Sequence, residues 1–274
     1  MYEFTYRKSE SIDEAASMFK ASEDARYLAG GMTLLPTMKQ RLAAPDILID
    51  LNGISSLRGI EKHNNVIVIG ALTTHAQVAA SLLVQRNIPA LAHLASVIGD
   101  PQVRNRGTLG GSVANSDPAA DYPAALVGLN STIQTNKRLI EADEFFIDLF
   151  ETALEDDEII TTVSFPIPDR AAYCKFPNPA SGYATVGVFV ACQKPGTPQQ
   201  DVRVAVTGAA GCVYRQESME KALCSSVSVA SLADIEIDAS EFNQDIHASA
   251  EYRAHLVGVM ARRAVQLIVE DQIG

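Results

Sequence analysis

The chain has 274 residues, of which 47% are hydrophobic and 20% are charged, with 22 Lys and Arg against 33 Asp and Glu. This length and composition suffice for one protein of two or three subdomains with a sizeable buried core. The net charge of −11 argues against a general affinity for nucleic acid or anionic lipid. No segment reaches the roughly 20 consecutive apolar residues of a membrane span, and the N-terminus lacks the regions of a signal peptide. We therefore expect a cytoplasmic protein with no membrane span and no nucleic-acid partner.

The cysteines and histidines give no sign of a metal site or of an iron–sulfur cluster held by this chain alone. The five histidines lie apart, without an HExxH or similar spacing. The chain also lacks a P-loop, a Rossmann glycine fingerprint and a G-x-S-x-G nucleophile elbow. We therefore predict no catalytic residue and no metal ligand here. The four cysteines are far apart, form no CxxC pair and are typical of reduced thiols: Cys174, Cys192, Cys212 and Cys224.

The first region, residues 1–56, is predicted to alternate strands and helices. Ser11 begins a capping-box pattern that is followed by an apolar helix face. A strand at residues 26–28 leads through two glycines into a second helix, and residues 47–51 have the composition of a buried strand. The order β-α-β implies a small parallel or mixed sheet. The second helix is predicted to place four apolar residues on one side: Leu34, Leu35, Met38 and Leu42.

The second region, residues 57–168, is predicted to open with a hairpin of residues 57–61 and 66–69. Thr73 or Thr74 is placed to cap a helix that begins near His75.

A further helix is expected over residues 89–98, with a proline in its first turn. Residues 99–122 then show almost no periodicity and contain four glycines and two prolines. A structureless run of this length inside a compact domain is usually functional or disordered, and the apolar flanks favour a functional loop.

The third region, residues 169–274, is predicted to combine strands with a long closing helix. Strands are expected at residues 183–191 and 202–209, joined by a connection that contains Gly196-Thr197-Pro198. Residues 249–270 carry apolar side chains at helical spacing and form the last element.

The first chemical motif is the turn Ala29-Gly30-Gly31-Met32-Thr33-Leu34, at which a strand gives way to a helix. Successive glycines let backbone amides approach a ligand, because no Cβ stands in the way. With the N-terminal end of the following helix, such a turn is suited to an anion, most often a phosphate. Taken alone, the motif also fits a tight β-α turn that merely needs glycine.

The second motif, Arg106-Gly107-Thr108-Leu109-Gly110-Gly111-Ser112, lies inside the aperiodic loop. Thr108 and Ser112 add hydroxyl donors to what the sequence predicts to be another run of exposed amides. Asp117 and Asp121 follow, and a carboxylate suits ribose hydroxyls or a ring N–H rather than phosphate. Two amide-rich turns in one chain favour a dinucleotide diphosphate and weaken the purely structural interpretation.

For each of three side chains near these motifs, the sequence allows two roles. His75 lies either in the first turn of a helix beside the ligand or in a surface or capping role. Arg104 and Arg106 either neutralise phosphate or contact a neighbouring subunit as solvated loop arginines.

With both motifs described, the chain resembles the FAD-binding medium subunit of the carbon monoxide dehydrogenase and xanthine dehydrogenase family over nearly its whole length. Residues 29–36 and 47–51 look like the first flavin motif of that family and its sequel. Residues 103–112 and 117–121 look like the longer, more specific second motif and its acidic partner. Parts of residues 173–188 look like the opening of its C-terminal domain.

The resemblance implies an α+β fold with a two-part FAD-binding domain of the PCMH/vanillyl-alcohol-oxidase type, residues 1–56 and 57–168. A C-terminal α+β domain with an antiparallel sheet, residues 169–274, would follow. One noncovalent FAD is implied, and Tyr183 would lie across its ring unless it is an ordinary residue of the C-terminal core. Met32 and Gly182 stand where the family more commonly has other residues. The residues assigned to the cofactor are Ala29, Gly30, Gly31, Met32, Thr33, Leu34, Thr73, His75, Ile98, Thr108, Gly110, Gly111, Ser112, Asp121, Lys175 and Tyr183.

The resemblance also implies partners: a small subunit with [2Fe–2S] clusters and a large subunit with the molybdenum cofactor, as a dimer of heterotrimers. Substrate would be hydroxylated at molybdenum, and electrons would pass through the clusters to the flavin and on to an external acceptor. A stand-alone flavin oxidase of related fold, acting on a small organic substrate, is the alternative. A non-enzymatic binding module is a third possibility. The motifs of this chain specify neither the substrate nor the acceptor.

Overall fold

The computed structural model describes residues 1–194, 197 and 200–270. The first region contains β1 Thr5–Lys8, α1 Ile12–Lys20, β2 Ala25–Leu28, α2 Leu34–Lys39 and β3 Ile47–Asp50. These strands form a parallel sheet in the order β1-β3-β2, which confirms the sheet expected from the β-α-β pattern. Strand β1 was not predicted, because its four residues have no buried face.

Local signals explain where the two helices of this region begin and end. The Ser11 hydroxyl accepts a hydrogen bond from the Glu14 amide and begins α1 as predicted, and Ala15 is fully buried beneath it. Helix α2 ends at Lys39, and Arg41 then takes a left-handed conformation with φ of 64°. The prediction that Leu42 lies on the apolar side of this helix is wrong: the chain has already left the helix, and Leu42 is 75% exposed.

The middle region is built on a five-stranded antiparallel sheet. This sheet contains β4 Ile60–His63, β5 Val66–Gly70, β6 Thr132–Thr135, β7 Leu139–Glu141 and β10 Ile160–Pro166, and the region also contains the separate pair β8 Phe146–Asp148 and β9 Glu151–Thr152. Its helices are α3 His75–Ala80, α4 Leu82–Asn87, α5 Pro89–Ser96, α6 Pro101–Arg106, α7 Leu109–Asn115, α8 Tyr122–Gly128 and α9 Ala142–Phe145. The sheet order is β4-β5-β10-β6-β7, and β8 pairs with β9.

One face of this sheet belongs to the core of the middle region, and α7 packs against β5 and β10. Ile67 and Ile69 alternate along β5, Val163 and Phe165 alternate along β10, and all four are fully buried. The predicted hairpin is confirmed by β4 and β5, although β4 starts later than predicted because short 3₁₀ turns occupy Leu51–Gly53 and Ser55–Leu57.

The expectation of an irregular loop over residues 99–122 is wrong. The Asp100 carboxylate caps α6 by accepting from the amides of Gln102 and Val103. Thr108 caps α7 by accepting from the Gly111 amide. These helices have six and seven residues, too few to show a helical period in the sequence. The segment therefore contains two short capped helices and is not an irregular loop.

The C-terminal region is a four-stranded antiparallel sheet with both faces covered. Its elements are β11 Arg170–Pro177, β12 Ala184–Gln193, β13 Asp201–Thr207, β14 Tyr214–Arg215, α10 Glu217–Ser225, a 3₁₀ turn Val229–Leu232 and α11 Ala250–Glu270. Val188 and Val190 face the core beneath α11, whereas Phe189 on the same strand joins the core of the middle region. The predicted strands and closing helix are confirmed to within a few residues. Gly196 and Pro198 of the predicted connection lie outside the described residues.

Among the residues that the structure describes, no helix is both long enough and apolar enough to span a membrane.

Candidate functional site

A cavity of about 500 Å³ lies where the three regions of the chain meet. This size is within the usual range for a small-molecule or cofactor site. All of the residues assigned to the cofactor line this cavity, except Thr73 and Lys175. Those that line it are Ala29, Gly30, Gly31, Met32, Thr33, Leu34, His75, Ile98, Thr108, Gly110, Gly111, Ser112, Asp121 and Tyr183.

The first glycine turn, residues 29–34, offers free backbone donors to the cavity. The amides of Gly30, Gly31 and Met32 donate to no other described residue. Gly31 has φ of +76°, a conformation that side chains with a Cβ rarely adopt, and it turns the chain from β2 into α2. Three neighbouring free N–H groups at a cavity wall form the kind of concave cluster that binds phosphate oxygens.

The second glycine turn, residues 106–112, differs from the expectation of another run of exposed amides. Its amides from Leu109 to Ser112 are satisfied within the protein, by carbonyls of the segment before α3 and by Thr108, the cap of α7. What it presents to the cavity instead is the Ser112 hydroxyl, which has no partner among the described residues, and the bare Cα of Gly111. The amide bonds run from Leu109 to the Thr73 carbonyl (3.0 Å), from Gly110 to the Ala71 carbonyl (2.8 Å), from Gly111 to the Thr108 hydroxyl (3.2 Å) and from Ser112 to the Thr108 carbonyl (3.0 Å).

The two glycine turns are in direct contact. A Cβ on Gly30 would lie 2.1 Å from the Arg106 carbonyl oxygen and 2.9 Å from the Gly107 Cα. Real Cβ atoms do not approach other atoms so closely, so the absence of a side chain at Gly30 is a condition for the turns to meet. Glycine at position 30 is therefore required for the packing of the two turns.

Asp121 and Asp117 bring negative charge to the cavity wall. Asp121 is 4% exposed, accepts from the Tyr173 hydroxyl at 2.5 Å and pairs with the Lys175 ammonium at 3.0 Å. Burial raises the pKa of the Asp121 carboxyl, and Lys175 and Tyr173 oppose that effect. Burial also raises the pKa of Asp117, which the Ala119 amide opposes. Both groups can accept hydrogen bonds from hydroxyl or ring N–H donors of a ligand.

His75 lies in the wall and not at the surface. It is 4% exposed in the first turn of α3, and its amide donates to the Gly107 carbonyl. Thr74, not Thr73 or His75, caps the helix through a reciprocal bond with Gln77. The His75 Nδ1 atom is buried and has no partner among the described residues. Burial lowers the pKa of His75 to about 4, and the charge of Arg104 acts in the same direction, so the ring is neutral at pH 7.

Tyr183 stands at the cavity and outside the C-terminal core. Its side chain is 42% exposed, which excludes the interpretation as an ordinary buried strand residue. Gly182 precedes it and approaches the Gly99 Cα, so this loop meets the loop after α5 across the cavity. Arg104 donates to the carbonyls of Ile98 and Gly99 and thereby holds that second loop.

The remaining predicted residues lie behind the cavity wall or away from it. The Thr73 hydroxyl donates to the Gly59 carbonyl. Lys175 pairs with Asp121 and also donates to the Val97 carbonyl at 3.1 Å. Arg106 is exposed and does not line the cavity.

Part of the cavity wall was missed by the sequence interpretation. Arg26, Tyr27 and Leu28 line the cavity from β2, and residues 158–160 line it from the start of β10. Burial acts to raise the pKa of Glu158, but Arg138, Thr135 and the Glu155 amide together lower it to about 2, so it is anionic. No local motif marks these positions, and only the pairing of distant strands brings them to the cavity.

The residues present fit an FAD molecule. Free amides and a hydroxyl suit its diphosphate, carboxylates suit its ribityl and ribose hydroxyls, and an exposed aromatic side chain suits its ring. The orphaned Nδ1 of His75 supplies a further polar atom beside the cavity. Across residues 1–194, 197 and 200–270, no group of three or more His, Cys, Asp or Glu is placed to hold a metal ion.

The whole chain is similar to known proteins. Residues 2–168 match the family model described as the FAD binding domain in molybdopterin dehydrogenase, and residues 171–268 match the CO dehydrogenase flavoprotein C-terminal domain. The chain is 35% identical over 274 residues to the carbon monoxide dehydrogenase medium chain of Hydrogenophaga pseudoflava, with 96% of each chain covered. It is 36% identical over 269 residues to the nicotine 6-hydroxylase medium subunit of Paenarthrobacter nicotinovorans, with 95% of each covered.

Solved structures show the same fold. A chain of reconstituted CO dehydrogenase from Oligotropha carboxidovorans superposes with a TM-score of 0.91 at 32% identity, covering 97% of both chains. A two-part FAD-binding domain followed by a C-terminal α+β domain is thus confirmed. The chain belongs to the FAD-binding medium subunits of the carbon monoxide dehydrogenase and xanthine dehydrogenase family, which are components of multi-subunit molybdenum-containing oxidoreductases.

Proposed function

We propose that this chain is the electron-transfer subunit of a molybdenum hydroxylase. It would take electrons from the [2Fe–2S] clusters of a small partner subunit and pass them to an external acceptor. The observation that carries this proposal is the cavity itself. It has donors for a diphosphate and an aromatic rim, but no base–nucleophile pair was recognised in the sequence and no metal cluster occurs among the described residues.

Different residues of the cavity would hold different parts of FAD. The free amides of the first glycine turn, with Ser112, would donate to the diphosphate. Asp117 and Asp121 would accept from hydroxyl groups, and Tyr183 would lie against the ring. Bound there, FAD would supply the exchange of electrons singly or in pairs. The protein would fix the ring, shield it from water and leave one side open to an acceptor.

The assembly is part of the same proposal. Residues 1–56 and 57–168 would form the two parts of the flavin domain, and residues 169–274 would form the third unit. A small iron–sulfur subunit and a large molybdenum subunit would complete a heterotrimer that pairs into a dimer. A cytoplasmic location is supported by the four cysteines, all of which are free thiols.

Metal and flavin analysis of the native complex tests the proposal. The chain, tagged in its own host and purified with its partners, should carry FAD together with iron and molybdenum in constant ratio. Acid precipitation should release the flavin into the supernatant, since the attachment is noncovalent. Flavin without iron or molybdenum would instead support a stand-alone oxidase. A complex that never contains flavin would contradict both.

A further inference from the structure

The acidic segment, residues 117–121, is the part of the cavity wall that the C-terminal sheet holds from behind. The Thr207 hydroxyl, at the end of β13, shares its single proton between the Ala120 carbonyl at 2.7 Å and the Pro118 carbonyl at 3.0 Å. Thr207 is fully buried. Among the described residues, the Ala120 carbonyl has no other donor.

Backbone amides of the same sheet complete this contact. The Gly208 amide donates to the Pro118 carbonyl at 2.7 Å, and the Ala184 amide donates to the Ala119 carbonyl at 3.1 Å. Three consecutive carbonyls of the acidic segment therefore receive donors from the beginning of β12 and the end of β13. The segment has no freedom to slide along the sheet without breaking several of these bonds together.

A buried arginine fixes the two strand ends relative to each other. The Arg253 guanidinium, from α11, donates to the Thr185 carbonyl at 2.7 Å and to the Gly208 carbonyl at 2.8 Å. It also pairs with Asp245 at 2.7 Å. Since Thr185 and Gly208 each adjoin a residue that touches the acidic segment, Arg253 holds the donors themselves in place.

We propose that Thr207 is a positioning residue of the flavin site, which acts through the Pro118 and Ala120 carbonyls to fix the acidic segment against the cofactor. This rests on the proposed function, because it takes FAD as the ligand of the cavity. Without the hydroxyl, the buried Ala120 carbonyl loses its donor, and an unsatisfied buried carbonyl is costly. Ala120 lines the cavity and directly precedes Asp121, so a carbonyl that shifts toward another donor would displace the Asp121 carboxylate.

The test compares Thr207→Val, which keeps the shape but removes the hydroxyl, with Thr207→Ser, which keeps the hydroxyl. FAD is titrated into flavin-free full-length chain, and the flavin absorbance spectrum and midpoint potential are recorded at saturation. We expect Thr207→Val to weaken FAD binding about tenfold, the scale of one lost hydrogen bond, and to shift the spectrum and potential. Thr207→Ser should bind FAD as the unaltered chain does.

Val206→Ala is the matched control, because Val206 adjoins Thr207 on β13 but faces the core beneath α11. It should lower thermal stability and leave FAD affinity, spectrum and potential unchanged. If Thr207→Val lowers stability in the same way without changing those three quantities, the inference is overturned. Should Thr207→Val fail to fold, Thr207→Ala replaces it under the same criteria. If the unaltered chain binds no FAD, the proposed function fails first, and that result is distinct.

Discussion

The two glycine turns have similar sequences but differ in the hydrogen bonding of their backbone amides. In the first, the amides of Gly30, Gly31 and Met32 are free at the cavity. In the second, the amides from Leu109 to Ser112 are all hydrogen-bonded within the protein, to the Thr73 and Ala71 carbonyls and to Thr108. The first turn is therefore a set of donors, whereas the second is mainly a packing surface that lets a ligand and a neighbouring turn come close.

This difference shows that a glycine-rich motif specifies close approach, not the partner that approaches. At Gly30 the partner is the second turn itself, through the Arg106 carbonyl, and at Gly110 it is Ala71. At Gly111 no backbone atom stands in the direction of a Cβ, which would lie 2.8 Å from the Thr108 hydroxyl and 3.6 Å from the Ala29 Cβ. Substitution at these positions should therefore separate effects on folding from effects on flavin binding.

Gly30→Ala should have the largest effect. The new Cβ would lie 2.1 Å from the Arg106 carbonyl oxygen, so the turns must separate. We expect the free energy of unfolding to fall by about 3 kcal/mol, the upper end of the usual cost of overpacking, and flavin to be lost. Denaturant unfolding and the flavin content of the purified chain measure both. A stable Gly30→Ala chain with full flavin would show that the turns do not need to touch.

The pH dependence of stability tests the packing behind the second turn. The pKa of His75 is lowered from 6.5 to about 4 in the folded chain. As the pH falls below 6.5, this side chain therefore becomes protonated in the unfolded chain while it stays neutral in the folded chain. The contribution of His75 to the free energy of unfolding is therefore fully present above pH 6.5. As the pH falls to about 4, this group lowers the free energy of unfolding by about 3 kcal/mol.

Unfolding of flavin-free chain at several pH values, compared with His75→Gln, isolates this contribution from those of the carboxyl groups. The difference between the two curves should grow as the pH is lowered through this window. Parallel curves would mean that His75 is not buried as a neutral ring.

Gly111→Ala should weaken FAD binding about tenfold, or about 1.4 kcal/mol, because its methyl group enters the space next to the first turn. Its cost in stability should be smaller than that of Gly110→Ala, whose Cβ would lie 2.5 Å from the Ala71 Cβ. Calorimetric titration with FAD and thermal unfolding of both variants check the order. If Gly110→Ala impairs flavin binding more than stability, the roles of the two glycines are reversed.

Tyr183→Ala should have the smallest effect. An aromatic contact with the flavin ring contributes about 0.5–1.5 kcal/mol beyond burial, so FAD should be retained more weakly and not lost. The flavin spectrum and the rate of reoxidation by oxygen should change while the fold stays intact, because Tyr183 is 42% exposed. An unchanged spectrum and rate would place the ring elsewhere in the cavity.

Local signals in the sequence predicted much of this structure. Ser11 marked the start of α1, and glycines 30, 31, 110 and 111 marked both turns. Helix α7 was not predicted, because its cap, Thr108, precedes only seven helical residues, two of them glycine. A six- or seven-residue helix has no period to detect, and its cap is a common residue in loops too.

Contacts between distant residues were beyond any single-sequence argument. The sequence assigned Asp121 and Lys175 separately to the cofactor, but not to each other, although they pair across 54 residues. Glu158 was missed for the same reason: a strand start carries no mark of the cavity on which it borders. The state of the second-turn amides depended on the Ala71 and Thr73 carbonyls, which only the fold brings close.

The contact between Thr207 and the acidic segment also has a consequence for the order of events during synthesis of the chain. The Thr207 hydroxyl lies 89 residues after the Pro118 carbonyl and 87 after that of Ala120. At bacterial and eukaryotic translation rates, that interval lasts roughly 4 to 18 seconds, during which the acidic segment has been synthesised and Thr207, which donates to it, has not. Arg253, which fixes the donors, is synthesised later still. On the proposal above, the flavin site is therefore complete only after the C-terminal sheet and α11 have been synthesised.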